Sequence, residues 1–202
     1  DVGVGIVGVE GTQARRASDY SIAQFRFLAR LLLVHGRYNY RRVCLTFVYS
    51  FYKNVTMVLT LCAFAPDSAF SASSLYDGWL MASFNVFFTF LPVIAHGLFE
   101  RDISPPLLLA FPQLHAAGIR GEELNSSVVL LWLLTAIAHA LVVYFMGGAM
   151  LGGLADDPLA LDGHVRGTCI NGLLVVTISL KLALHTSHWT FFNALFALGD
   201  HT

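Results

Sequence analysis

Long apolar runs separated by short polar stretches dominate the chain, and the polar residues inside those runs fall at helical spacing. In the first run, 41–65, Arg41 and Arg42 lead into Val43-Cys44-Leu45-Thr46-Phe47-Val48-Tyr49-Ser50-Phe51-Tyr52, then Lys53-Asn54. Val58-Leu59-Thr60-Leu61-Cys62-Ala63-Phe64 completes it. At ~1.5 Å per residue, roughly 25 residues make a helix of about 37 Å, enough to cross a bilayer. Thr46, Tyr49, Ser50, Lys53, Thr56, Met57 and Thr60 recur every three or four positions, one mostly polar stripe among Phe, Val and Leu. Lys53 then lies about 18 Å from either end, too far for its side chain to snorkel to water. An ammonium facing lipid at mid-membrane costs about 2.5–3.5 kcal/mol even on the lenient insertion scale. The pattern therefore turns Lys53 toward protein or a wet cavity, for transport chemistry or, in the plainer reading, for helix packing.

The remaining runs predict further spans at 76–99, 124–146 and 166–185. The second has Asn85, Thr89, Pro92 and His96 at spacings of four, three and four, a second polar line. Pro92 removes a backbone bond and is the candidate for bending that helix. His96, near the end of its span, reads as interfacial, and His139 in the third as packed and hydrogen-bonded. Lys181 in the fourth is near enough to its end to snorkel, and His185 and His188 have no third ligand nearby. The run 189–202 offers only about 10 apolar residues, too few to cross, and reads as the start of a truncated helix. Before the first span, 25–40 is a basic amphipathic helix resembling a stalk, and 1–24 is a short strand and helix with Ser18 or Asp19 as an N-cap. Segment 100–123 reads as a polar loop. The expected fold is mainly α: a polytopic helical membrane protein with a short N-terminal α/β piece.

Composition agrees. Of 202 residues 56% are hydrophobic and 12% charged, where a soluble domain has about 25% charged residues. Seven of the 12 Lys and Arg residues (Arg15, Arg16, Arg26, Arg30, Arg37, Arg41, Arg42) lie before the apolar part of the first span or at its start, and Arg101 and Arg120 lie between the second and third. Positive charge collects on the cytoplasmic side, which predicts a cytoplasmic N-terminal part with loops 66–75 and 147–165 opposite. Asp156 and Asp157 read as a hydrated loop rather than a cation site. Cys44, Cys62 and Cys169 lack metal or disulfide spacing and read as small buried hydrophobes. Gly3, Gly5 and Gly8 spell GxGxxG, but inside the strand rather than after it, and no acid follows at the proper distance, so no dinucleotide role is expected. The opening on Asp1 rather than Met leads to the expectation of a fragment.

The order of motifs is similar to that of the phospholipid flippases, the type IV P-type ATPases. Asp1-Val2-Gly3-Val4-Gly5-Ile6, Glu10-Gly11 and Ala17-Ser18-Asp19-Tyr20-Ser21-Ile22-Ala23-Gln24-Phe25-Arg26-Phe27-Leu28 resemble the end of their phosphorylation domain. Leu31-Leu32-Leu33-Val34-His35-Gly36-Arg37, Asn39-Tyr40 and Arg42 resemble their stalk, and Phe51-Tyr52-Lys53-Asn54 their fifth membrane helix. Tyr76-Asp77, Trp79, Phe84-Asn85-Val86, Phe88-Thr89, Leu91-Pro92, Gly97, Phe99-Glu100 and Asp102 resemble the sixth. Phe111-Pro112-Gln113-Leu114 resembles the following loop, Leu180-Lys181 the eighth helix, and Trp189-Thr190 the start of the ninth. The resemblance implies a pump moving phospholipid from the outer to the cytoplasmic leaflet at the expense of ATP, through an aspartyl phosphate and Mg²⁺. It implies a two-span glycosylated accessory subunit, a plasma, Golgi or endosomal membrane, and no nucleic-acid partner. It assigns Lys53, Asn54 and Asn85 to the headgroup path. The Asp-Lys-Thr-Gly-Thr motif is missing, and the Gly-Asp-Gly-Ala-Asn-Asp motif is expected upstream of Asp1. ATP and Mg²⁺ would then bind outside this segment, which alone should be inactive.

Residue chemistry bears on substrate class independently. A cation pump needs carboxylate oxygens in mid-membrane to replace a hydration shell. The second span has no acid between Asp77 and Glu100, and the first has a lysine instead. An ammonium with amides suits an anionic or zwitterionic headgroup. A cation-transporting segment and a non-catalytic membrane scaffold are the alternatives.

Overall fold

The computed structural model describes residues 2–8, 12–154 and 163–187. In chain order these form β1 (Val4–Ile6), α1 (Thr12–Ala17), β2 (Tyr20–Ile22), α2 (Phe27–Arg30), a π-helical segment Leu31–Gly36 and α3 (Arg37–Phe64). Then come α4 (Gly78–Ser83), a π-helical turn Phe84–Phe88, α5 (Phe90–Phe99), α6 (Pro105–Ala110), a 3₁₀ turn Pro112–His115, α7 (Ala116–Ile119), α8 (Ser126–Leu154) and α9 (Gly163–His185). The described chain is thus mainly α. It divides into two compact units, Asp1–Arg41 with Asp102–Glu122, and Arg42–Arg101 with Glu123–Thr202.

In the first unit β1 and β2 pair in parallel, Val4 opposite Tyr20 and Ile6 opposite Ile22, with α1 as the crossover that parallel pairing requires. A Cβ on Gly5 would come within 2.6 Å of Ser18 Oγ and 3.2 Å of Arg15 Cα, so this glycine serves close approach of the crossover. The strand is only partly covered, for Ile6 is 48% exposed. Ser18 and Asp19 do not cap a following helix, because a strand follows. Asp19 Oδ2 accepts from Gly3 N–H at 2.8 Å, and the Ser18 hydroxyl donates to the Arg15 carbonyl at 3.0 Å.

The 100–123 segment is not the plain loop expected of it. Pro105 and Pro106 occupy the first helical positions of α6, where a missing N–H has no intrahelical role. Leu108 is buried with Val34 and Tyr38, and Ile103 and Leu114 pack around them. Arg37 donates to Asp102 at 2.8 Å and to the Leu114 carbonyl; Arg41 also donates to Asp102, and the Tyr38 hydroxyl donates to the Ile103 carbonyl. Burial alone would raise the Asp102 carboxyl, but the hydrogen bonds from Arg37 and Arg41 outweigh it and hold it below its ordinary value.

In the second unit α8 and α9 pack through small residues. Ala136, Ala140, Val143 and Gly147 make one face of α8, and a Cβ on Gly147 would lie 3.1 Å from Ile170 Cγ1. Such residues let membrane helices approach where no hydrophobic force drives them together. The facing side of α9 buries Gly167, Ile170, Asn171, Leu174, Val175, Ile178, Ser179 and Leu182, at three- and four-residue steps. Tyr49, Tyr52, Met57 and Phe84 complete this core. Among the described residues four helical stretches are long and apolar enough to cross a membrane: Phe27–Phe64, Gly78–Phe99, Ser126–Leu151 and Gly163–His185. Their outer faces leave Phe47, Phe51, Phe87, Phe90, Leu131 and Phe145 between 46% and 64% exposed, as lipid-facing side chains are. Of the cysteines only Cys44 is buried; Cys62 and Cys169 lie on exposed faces, against the expectation. The run 189–202 lies outside the described residues, as do Asp156, Asp157 and His188.

Candidate functional site

The polar stripe of α3 is mostly an inward face. Tyr49, Thr56, Met57 and Thr60 are buried, and the Thr56 and Thr60 hydroxyls donate to the Tyr52 and Met57 carbonyls at 2.7 Å. Lys53, half-buried on that stripe, lies about 24 Å along the helix from Arg37 and about 16 Å from Phe64. Its ammonium donates to Asn85 Oδ1 at 3.0 Å and to Thr89 Oγ1 at 2.8 Å. The two polar lines read from the sequence therefore meet. Asn54, one position on, is exposed about 100° further round the helix and takes no part in this cluster.

The acceptors sit where the second membrane stretch is not regular α-helix. The π turn Phe84–Phe88 separates α4 from α5, and Thr89 follows at φ −118° and ψ −19°. The buried Thr89 hydroxyl donates to the Phe84 carbonyl at 2.8 Å, five residues back. Pro92, also buried, falls in the first turn of α5 and has no N–H to offer the Phe88 carbonyl. A π turn followed by a proline thus breaks the ladder beside Lys53, an arrangement frequent at functional sites. Thr89 belongs to this cluster although the sequence marks it only as one point on the Asn85–His96 line. Its spacing of four from Asn85 is the signal.

The donor inventory decides what the cluster can bind. Lysine only donates, so Asn85 must turn its carbonyl oxygen to Lys53, and both amide N–H groups are left to point elsewhere. Two of the three ammonium N–H groups are used; the third meets no acceptor among the described residues. The result is a cationic cluster of donors with no carboxylate, suited to phosphate or carboxylate oxygens. No group of three or more His, Cys, Asp and Glu able to hold a metal ion occurs among the described residues. The Lys53–Asn85–Thr89 cluster itself offers no carboxylate oxygen of the kind that holds Mg²⁺.

Behind Lys53, the Tyr52 hydroxyl bonds His139 Nδ1 at 2.6 Å, and its ring meets Trp132 edge-on at 5.7 Å. Lys181 does not project free: its ammonium stands 4.8 Å from the Trp132 ring centroid, a cation–π contact. His96, in the last turn of α5, is covered by protein, with Nδ1 3.3 Å from Thr186 Oγ1. Near it, Glu100 Oε1 accepts from Ser187 N–H at 2.8 Å, and the Glu100 carbonyl accepts from Arg42 Nε at 2.8 Å. At the Phe64 end, a cavity of about 730 Å³ is lined by Phe64, Tyr76, Tyr144 and Arg166 among others. There Asp67 accepts from the Tyr144 hydroxyl and from Arg166 at 2.7 Å, and both bonds hold its carboxyl below the ordinary range. The Tyr76 hydroxyl is paired with that of Thr60 at 2.7 Å.

Residues 15–201 match the family model for the C-terminal part of phospholipid-translocating P-type ATPases. The chain belongs to that family. Among its relatives, the probable phospholipid-transporting ATPase DNF3 of Saccharomyces cerevisiae is 40% identical over 197 residues, covering 96% of this chain and 12% of that protein. The human phospholipid-transporting ATPase IC is 40% identical over 201 residues, 98% of this chain and 16% of the relative. The probable phospholipid-transporting ATPase 5 of Arabidopsis thaliana is 39% identical over 202 residues, 99% and 16%. The chain thus spans about an eighth to a sixth of the curated relatives it matches. With four membrane-length helices among the described residues and this membership, it is an integral membrane member of that family.

Proposed function

We propose that the chain supplies part of the headgroup path of an ATP-driven pump that moves phospholipid from the outer to the cytoplasmic leaflet. The observation that carries this reading is the mid-membrane ammonium of Lys53, held by Asn85 and Thr89 with donors to spare and no carboxylate beside it. A cation pump would need oxygen ligands in that place. The exposed side of Asn85 supports a groove along which a headgroup travels while the acyl tails stay in lipid. Asn54, on another face, is assigned to the path only by the family resemblance. Relatives named as phospholipid-transporting ATPases support the substrate class. ATP, Mg²⁺ and the phosphorylated aspartate belong to the rest of the pump, and a two-span accessory subunit completes it. The basic stretch before Arg42 supports a cytoplasmic N-terminal side.

The test uses a full-length pump carrying this segment, in liposomes of defined composition. Lys53→Ala and Asn85→Ala should leave phosphorylation by ATP intact and raise the lipid concentration for half-maximal dephosphorylation about tenfold or more, the scale of a lost hydrogen bond to a charged group. The segment alone should take up no label from radioactive ATP. Unchanged lipid curves for both variants would return these residues to helix packing.

A further inference from the structure

We infer that Thr89 is the positioning residue of this site: its hydroxyl, locked by the π turn into an acceptor, fixes the Lys53 ammonium for the headgroup. The inference rests on the path reading and deepens it.

A threonine hydroxyl has one proton and two lone pairs. Here the proton goes to the Phe84 carbonyl at 2.8 Å, a group that the i→i+5 turn places five residues behind. A free hydroxyl would rotate and offer either its proton or a lone pair. This one is left with lone pairs only, and one of them takes Lys53 Nζ at 2.8 Å. Thr89 is 1% exposed, so water does not compete for either bond. Because it can only accept, Thr89 does not itself donate to a phosphate oxygen. It acts through Lys53, holding two N–H groups between itself and Asn85 so that the third is directed away from both. Asn85 lies at the exposed edge and can turn with a ligand, whereas Thr89 is buried and tied to the backbone. The two acceptors therefore have different roles, for Asn85 meets the headgroup and Thr89 aims the cation.

The hydroxyl also joins backbone geometry to charge. Any change of the π turn toward regular α-helix would move the Phe84 carbonyl relative to Thr89 and free the hydroxyl to rotate, so that it could offer either its proton or a lone pair and would no longer hold Lys53 in one direction. Pro92, one turn on, keeps the ladder there from closing.

The experiment compares Thr89→Val, which keeps the shape and loses the hydroxyl, with Thr89→Ser, which keeps the hydroxyl, in the same full-length pump and liposomes. Thr89→Val should raise the half-saturating lipid concentration about tenfold, with the maximal rate of dephosphorylation and the yield of ATP-formed phosphoenzyme within about twofold of the parent. Thr89→Ser should restore the parent curve to within about twofold. In Lys53→Ala, which has no cation to aim, adding Thr89→Val should give no further shift. A normal lipid curve for Thr89→Val beside a shifted one for Lys53→Ala overturns the role of Thr89 and leaves the path reading standing. Equal loss of phosphoenzyme and dephosphorylation in Thr89→Val, unrescued by serine, makes Thr89 structural. A silent Lys53→Ala overturns both.

Discussion

Lys53 is compatible with mid-membrane because two neutral acceptors reach it and a third direction stays open, so its charge is solvated by protein without being cancelled. A carboxylate in the place of Asn85 would neutralise it and remove its attraction for an anion. At the same scale, Gly167 shows how closely the helical framework is drawn. A Cβ there would fall 2.0 Å from the Leu75 carbonyl oxygen, a backbone atom with little freedom to move. Gly167→Ala should cost about 3 kcal/mol, the upper end of the usual range of about 1–3 kcal/mol for overpacking, because the atom met is backbone. By contrast, Gly172, on the same helix with nothing within 4 Å, should accept alanine with no loss, since alanine favours helix. Melting of the two variants in detergent measures this; equal melting temperatures would remove the close approach at Leu75.

Among the elements, the second membrane stretch departs most from regularity. α4, the π turn and α5 form one apolar path in which Thr89 and Pro92 interrupt the ladder, and this break presents Asn85 and Thr89 to Lys53. The segment after it is ordered by charge instead. Asp102 gathers Arg37 and Arg41 with only 12% of its side chain exposed, so Asp102→Asn should destabilise that unit by about 3 kcal/mol, the low end for breaking a buried ion pair because Arg41 is 38% exposed. Trypsin cleavage after Arg101 and Arg120 should rise several-fold; an unchanged rate would show that Leu108 and its apolar neighbours hold the segment unaided. The pH dependence has a definite sign. The folded state holds Asp102 below the ordinary value of 3.8, so its contribution is fully present above that pH and is lost as pH falls through the lower folded value. Susceptibility of the parent to cleavage should therefore stay flat from pH 7 to about 5. Loosening within that window would assign the stability to another group.

For the whole molecule, the governing fact is the distribution of basic residues along alternating spans. Seven lie before or at the start of the first membrane run, two lie between the second and third, and only Arg166, at the start of the fourth, borders the two intervening stretches. By the positive-inside rule that asymmetry supports the proposed cytoplasmic N-terminal side. A glycosylation acceptor inserted beside Asp157 should be modified in microsomes, and one beside Gly118 should not. The reverse pattern would invert the proposed orientation and place the Asp67–Arg166 cavity on the cytoplasmic side.

Periodicity and composition by themselves determined that this chain is helical, lies in a membrane and cannot leave Lys53 facing lipid. Those conclusions need only the length of an apolar run, the 3.6-residue repeat and the cost of an unsolvated charge. The lines through Lys53 and Asn85 were legible for the same reason, since a helix face is a local property. Which groups on those faces touch was not. Thr89 rather than Asn54 completes the cluster because a π turn, invisible to a residue-by-residue repeat, sets the second stretch, and because Asn54 lies about 100° round from Lys53. The partners of His96 and the fold of the 100–123 segment were hidden for a related reason: polar and proline-rich sequence looks exposed until its partners are known. Thr186 stands 90 residues from His96, and Ser187 stands 87 from the Glu100 carboxylate that accepts its N–H. Leu108 is covered by Val34 and Tyr38, from elements far back in the chain. Tertiary structure alone decided those pairings, because the free energy of a buried polar group depends on the partner that the fold brings to it.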